Sequence, residues 1–182
     1  MSNQILIIYT SKTGFTRTYA QWLQQDLHCD CVEYAQRHTV DLAKYQAVAF
    51  GGALYVGKIN GLKWFKKQLP RLRGKQAAVF FVGAMPPDPA DVRRVERENF
   101  QPEELSFIKP FYLQGGLRYG AMNPVDRLLM AVFKKMLKNK ANAPGGSPKE
   151  KIMLQNIQHD FDQTQRDSLK PLEAYLTEEP SR

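Results

Sequence analysis

The chain opens on a short apolar run, Ile5-Leu-Ile-Ile-Tyr9, with no polar residue inside it. Such an uninterrupted run reads as a strand buried on both faces, and the strand is placed over Asn3 to Tyr9. Three further fully or largely apolar runs, Ala47 to Phe50, Gln76 to Val82 and Ile108 to Leu113, read the same way, and Cys31 to Ala35 reads as a second, shorter strand. Between them the spacing changes to that of helices. Tyr19, Ala20, Leu23 and Leu27 share one face of a helix over Thr16 to Leu27. Helices are predicted over Gly61 to Leu69, stopped by Pro70, over Ala90 to Asn99, over Pro102 to Phe107, and over Val125 to Asn139. Asp41 to Tyr45 forms one helical turn, Leu117 to Pro124 an irregular turn, and Asn142 to Pro148 a Gly/Pro loop. The C-terminal helix starts at Phe161 or Asp167 and ends at Leu176, with Pro171 forcing a kink or the later start.

Apolar strands alternating with helices predict an α/β fold, a doubly wound parallel sheet with helices on both faces. Five strands fit the order 2-1-3-4-5, with an amphipathic helix inserted after the fifth strand. The 182 residues are read as one domain, its inserted helical segment at about 117–148. In such sheets a ligand sits beyond the carboxyl ends of the strands, here the loops at Thr10, Ala53, Gly83 and Leu117.

The loop after the first strand reads Thr10-Ser11-Lys12-Thr13-Gly14-Phe15-Thr16. A helix N-terminus presents N–H groups and the positive end of a dipole. The hydroxyls of Ser11, Thr13 and Thr16 add donors, and Gly14 permits close backbone approach. This is a phosphate cradle, with neither the Walker pattern nor the Gly-x-Gly-x-x-Gly fingerprint.

Ser11 to Thr16 matches Ser/Thr-x-Thr-Gly-x-Thr/Ser, the phosphate loop of the flavodoxin superfamily, at every constrained position. The resemblance implies a flavodoxin-like fold that binds FMN, with Ser11, Lys12, Thr13, Gly14, Phe15 and Thr16 around its phosphate. It also implies two loops flanking the flavin ring. The third-strand loop holds Ala53, Leu54, Tyr55, Val56 and Gly57, with Tyr55 placed to stack on the ring. The fourth-strand loop holds Gly83, Ala84 and Met85, and it departs from typical flavodoxins, which carry an aspartate and an aromatic there. A second resemblance is to the flavodoxin-type, quinone-linked protoporphyrinogen oxidases. It rests on Gly52 to Gly57, on Gly115-Gly116-Leu117-Arg118-Tyr119-Gly120, and on Asp126-Arg127-Leu128 and Lys134-Lys135-Met136. It implies an FMN-dependent oxidoreductase of haem synthesis: the substrate loses hydride to the flavin, and a quinone takes the electrons. Arg118 and Tyr119 are then substrate residues, Arg118 suited to pair a propionate or, alternatively, to form a structural ion pair with Asp126 or a glutamate.

Charge refines the choice of partner. The formal net charge is +8 and the mean hydropathy −0.47. Small electron-carrying flavodoxins are usually acidic, and positive charge favours a less reducing flavin. The alternative to an oxidase is a basic flavodoxin docking on an acidic redox protein. Neither basic block, Lys58 to Lys75 or Lys134 to Lys140, carries the interleaved aromatics of a nucleic-acid surface. The helix over 125–139 has an apolar stripe edged with lysines. It either packs on the body of the fold, covers the flavin, or rests on an anionic membrane. The two cysteines, Cys29 and Cys31, are read as reduced thiols and no metal is expected; His28, His38 and His159 receive no role. With no leader and no spanning segment, the expected location is the cytoplasm, extending to the inner face of the membrane.

Overall fold

The structure, a computed structural model, describes residues 4–143 and 148–178. The chain divides into two compact units, one of residues 1–115 and 164–182, the other of residues 116–163.

In the first unit β1 (Ile5–Tyr9) is followed by α1 (Phe15–Leu27), β2 (Asp30–Glu33), β3 (Ala47–Tyr55), β4 (Lys58–Ile59), α2 (Leu62–Lys66), β5 (Gln76–Gly83), α3 (Pro89–Asn99), α4 (Pro102–Leu105) and β6 (Ile108–Gln114). The parallel strands lie in the order β2-β1-β3-β5-β6, the doubly wound order expected, and β4 pairs antiparallel with β3. The two faces of the sheet alternate along each strand. Ile5, Ile7 and Tyr9 of β1 pack with Tyr19 and Leu23 of α1 and with Leu169, Leu172 and Leu176 from the C-terminal segment. Leu6 and Ile8 pack on the other side with Phe50, Phe65, Phe81 and Ile108. The central strands β1, β3 and β5 are thus buried on both sides, which is why they read as continuous apolar runs.

Several boundaries differ from those expected. Asn3 lies outside the described residues. The second strand is Asp30–Glu33 rather than Cys31 to Ala35, because the chain tightens into a 3-10 turn at Tyr34–Thr39. The third strand, expected over Ala47 to Phe50, does not stop at the two glycines that follow. Both glycines stay paired with β5, Gly51 with Phe80 and Gly52 with Phe81, and Ala53 to Tyr55 continue into a hairpin. The helix expected over Gly61 to Leu69 is only α2, because Pro70 opens a separate 3-10 turn, Leu69–Leu72. The helix over Pro102 to Phe107 stops at Leu105, and the fifth parallel strand runs on to Gln114.

The second unit holds β7 (Gly116–Leu117), α5 (Pro124–Asn142), α6 (Pro148–Asn156) and β8 (Phe161–Asp162). β7 and β8 pair antiparallel, Gly116 with Asp162 and Leu117 with Phe161. Phe161 therefore begins a strand and not a helix, and Leu117 is no part of an irregular turn. Asn123 caps α5 through the Asp126 N–H at 2.8 Å. The loop expected over Asn142 to Pro148 is bounded by helices, since Asn142 ends α5 and Pro148 opens α6; residues 144–147 lie outside the described residues. Leu117, Leu137, Ala141 and Ile157 are buried, whereas the apolar stripe of α5 stands exposed. No helix among the described residues is long and apolar enough to cross a membrane.

The chain returns to the first unit through a 3-10 turn, Arg166–Leu169, and α7 (Lys170–Thr177), which starts late because Pro171 fits only its first turn. The Tyr19 hydroxyl ties the point of departure to the point of return: it donates to the Gln114 carbonyl at 2.6 Å and accepts from the Gln165 N–H at 3.1 Å. Arg166 grips Asp26 of α1 through two bonds of 3.0 and 2.6 Å.

Candidate flavin site

The loop joining β1 to α1 lies at the carboxyl end of the sheet. Its first residue is fixed by a bond from the Thr10 N–H to the Gly51 carbonyl, 2.9 Å, so it is referenced to β3 as well as to β1. Gly14 sits at φ 100 and ψ −23, a left-handed conformation that favours glycine. Its N–H donates to the Ser11 hydroxyl at 3.1 Å. Accepting that bond leaves the Ser11 O–H as a donor for something else. The Gly14 carbonyl accepts both the N–H and the hydroxyl of Thr18, at 2.9 and 3.2 Å, which starts α1.

No side chain caps α1, and no acidic residue occupies its first turn. A helix start of this kind is electropositive and bears nothing that would repel an anion. Thr13 is half-buried on the loop, and Thr16, at 1% exposure, lies inside the first turn. Backbone N–H groups and hydroxyls without a carboxylate are the donor set a phosphate ester requires, so these residues fit the phosphate end of FMN.

The third-strand residues are brought to this loop by the hairpin. Ala53, Leu54 and Tyr55 lie in β3, and Val56 and Gly57 form its two-residue turn, with φ 48 and φ 75. Positive φ at both central residues is the hairpin turn whose twist suits the flanking strands. Asn99, at the end of α3, holds the far side of this hairpin. Its amide donates to the Gly57 carbonyl at 2.7 Å and accepts from the Ile59 N–H at 3.1 Å. The Lys12 ammonium lies 4.2 Å from the centre of the half-buried Tyr55 ring. The β1–α1 loop and the aromatic of the third strand therefore meet directly, with a cation on the ring face.

The fourth-strand residues follow from β5. Gly83 is its last residue, and its carbonyl accepts the Gly115 N–H at 2.7 Å. Ala84 and Met85 form the bend beyond it, half-buried. The Tyr112 hydroxyl donates to the Met85 carbonyl and pins the bend, and burial pushes the Tyr112 phenol well above its ordinary range. A Cβ on Gly83 would come within 2.8 Å of that hydroxyl, so glycine is what lets Tyr112 reach across.

Arg118 and Tyr119 belong to the second unit. Arg118 pairs with Asp162 at 3.0 Å, an acid other than those the sequence reading named. The Tyr119 N–H donates to Asp160 at 2.8 Å, its hydroxyl donates to the Ile157 carbonyl at 2.5 Å, and Lys134 lies 4.3 Å from its ring centre. A shallow cleft of about 190 Å³ lined by Gln4, His28, Cys29 and Tyr45 lies at the opposite, amino edge of the sheet. The rule that ligands bind at the carboxyl edge sets that cleft aside.

Residues 6–143 match the family model of the flavodoxin domain. The chain belongs to the flavodoxin-domain family. No curated protein matches it. Among solved structures, the Trp repressor binding protein of Bacillus subtilis is 17% identical, with 62% of this chain and 83% of that one covered at a TM-score of 0.45. A WrbA-like flavodoxin from Agrobacterium tumefaciens is 15% identical, with 66% and 88% covered at 0.42. A flavodoxin from the Archaea is 14% identical, with 72% and 97% covered at 0.37. These likenesses are distant and carry no information on activity.

Sequence reasoning missed Asn99 and Tyr112. Each acts through contacts with segments far along the chain, and no local pattern marks either.

Proposed function

We propose that this flavodoxin-domain chain is an FMN-dependent oxidoreductase that oxidises protoporphyrinogen IX with a quinone as acceptor. The observation that carries the flavin part is the uncapped, acid-free start of α1 beside Tyr55. The support for the substrate is the resemblance of Gly115 to Gly120 and of Asp126-Arg127-Leu128 to the flavodoxin-type protoporphyrinogen oxidases.

In this reading Ser11, Thr13, Gly14 and Thr16 hold the phosphate, with Lys12 adding a cation at the loop. Phe15, buried at the start of α1, anchors the loop to the core. Tyr55 offers a ring face for stacking, flanked by Ala53, Leu54, Val56 and Gly57. Gly83, Ala84 and Met85 bring backbone groups to the edge of the ring. Bound FMN supplies the two-electron redox chemistry, and the protein binds, orients and tunes it. Arg118 exchanges Asp162 for a propionate of the substrate, one carboxylate for another, and Tyr119 lines that contact.

The test is an anaerobic titration of FMN-loaded protein with protoporphyrinogen IX, following the oxidised-flavin absorption. Bleaching that a quinone reverses is expected. An unchanged band in protein that dithionite still reduces would overturn the substrate. The net charge of +8 favours a second reading in that event, an FMN electron carrier for an acidic redox protein. Protein that takes up no FMN would overturn both.

A further inference from the structure

Six of the ten large hydrophobic side chains exposed among the described residues lie on one helix, α5: Val125, Leu128, Leu129, Val132, Phe133 and Met136. They recur at helical spacing and form one stripe, with Leu128 66% and Val132 59% exposed. The residues of α5 that are buried, Leu137 and Ala141, fall on a different face. A solitary exposed leucine needs no explanation, but a contiguous apolar stripe marks a surface that something covers.

The charges around the stripe indicate what covers it. Lys135 follows Leu128 by seven residues and Lys140 follows Phe133 by seven, so each stands two turns along an edge of the stripe. Arg127, Lys134 and Lys138 add to the basic character of the helix, and Asp126 is its single acid. A second copy of the chain is a poor occupant. A symmetric contact between two α5 helices would set lysines against lysines. The stripe also offers no hydrogen-bonding group at its centre for a shaped protein partner. An anionic bilayer needs only apolar depth and flanking cations, and both are present. At about 1.5 Å per residue, the helix is roughly 28 Å long, enough to lie along a membrane surface.

We propose that α5 is an interfacial helix that docks the protein on anionic phospholipid, burying the stripe from Val125 to Met136 with its lysines among the headgroups. This goes beyond the redox reading and stands independently of it, because FMN uptake is measured separately.

The experiment is co-sedimentation of the full chain with phosphatidylcholine vesicles and with vesicles in which a third of the lipid is phosphatidylglycerol. Binding to the second, weakened by salt, and little binding to the first are expected. Leu128→Glu with Val132→Glu abolishes binding; both positions are exposed, so the fold persists, and circular dichroism checks it. Lys135→Gln with Lys140→Gln weakens binding about 25-fold, at about fivefold per lysine. Folded protein that ignores phosphatidylglycerol vesicles would overturn the proposal, as would binding that survives the two glutamates. A dimer, or a complex with an acidic protein, that forms through this face without vesicle binding would overturn it too.

Discussion

Replacing Gly51 with alanine tests how tightly the sheet is built beneath the candidate flavin site. A Cβ on Gly51 would lie 2.1 Å from Cζ of Phe80, 2.4 Å from Cε2 and 2.8 Å from Cε1. Carbon atoms rest comfortably at about 3.5 to 4.0 Å, so the ring tip would have to retreat by about 1.5 Å. Phe80 is fully buried, packed among Tyr19, Leu23 and Leu172, and has nowhere to go. Overpacking a close-packed core costs about 1 to 3 kcal/mol, and this geometry belongs at the upper end. With a urea slope of about 2 kcal/mol per molar, the unfolding midpoint falls by about 1.5 M. Phe80→Leu frees the space, so the double variant recovers at least about 1 kcal/mol relative to the sum of the single ones. The Gly51 carbonyl also holds Thr10, so Gly51→Ala weakens FMN binding as well. A loss below about 1 kcal/mol, or strict additivity with Phe80→Leu, would refute the reasoning.

Four more outcomes follow from the same geometry. Thr13→Leu removes a hydroxyl from the phosphate loop and lowers FMN affinity by about tenfold to a hundredfold, the worth of a charge-assisted hydrogen bond, read by quenching of flavin fluorescence. Asn99→Ala releases both bonds to the hairpin, costs about 1 to 3 kcal/mol in urea unfolding, and weakens FMN binding because Tyr55 loses its support. Val56→Asn relieves a β-branched residue held at φ 48 and raises stability by about 1 kcal/mol; a drop in stability would show that the Val56 side chain makes a contact worth more than the strain. Burial pushes the Cys29 and Cys31 thiols up to about 12 and about 11, from 9.0. The unfolded chain then releases those protons first, so the thiols' contribution is intact below pH 9 and is lost as pH rises through these values. Unfolding midpoints measured across that window should fall, less steeply in a variant with both cysteines changed to serine, and native protein should react slowly with iodoacetamide.

The parallel sheet was legible in the sequence because each central strand is sealed on both faces and leaves an uninterrupted apolar run. The hydroxyl-rich loop before α1 was legible as a candidate site because its chemistry is local, within six residues of one turn. What escaped depends on distance along the chain. Gly51 and Gly52 look like the end of a strand, but pairing with Phe80 and Phe81 keeps them in it. α6 is short and of weak periodicity, and the pairing of β7 with β8 joins two-residue strands about 45 residues apart. The stripe of α5 is indistinguishable from a core face by spacing alone. Only its exposure separates the two.

The Tyr19 hydroxyl touches the chain where it leaves the sheet, at Gln114, and again where it comes back, at Gln165. Beyond those points Gly116 and Asp162 are already paired as neighbouring strands. The intervening segment is therefore a closed excursion that starts and finishes at one spot. Such a segment can be lengthened, exchanged or lost between descendants without breaking a strand or a helix of the host sheet. The sheet scaffold and whatever the excursion contacts are free to evolve at different rates, and a short linker across Gly115 and Thr164 is the natural place to graft one such cassette for another.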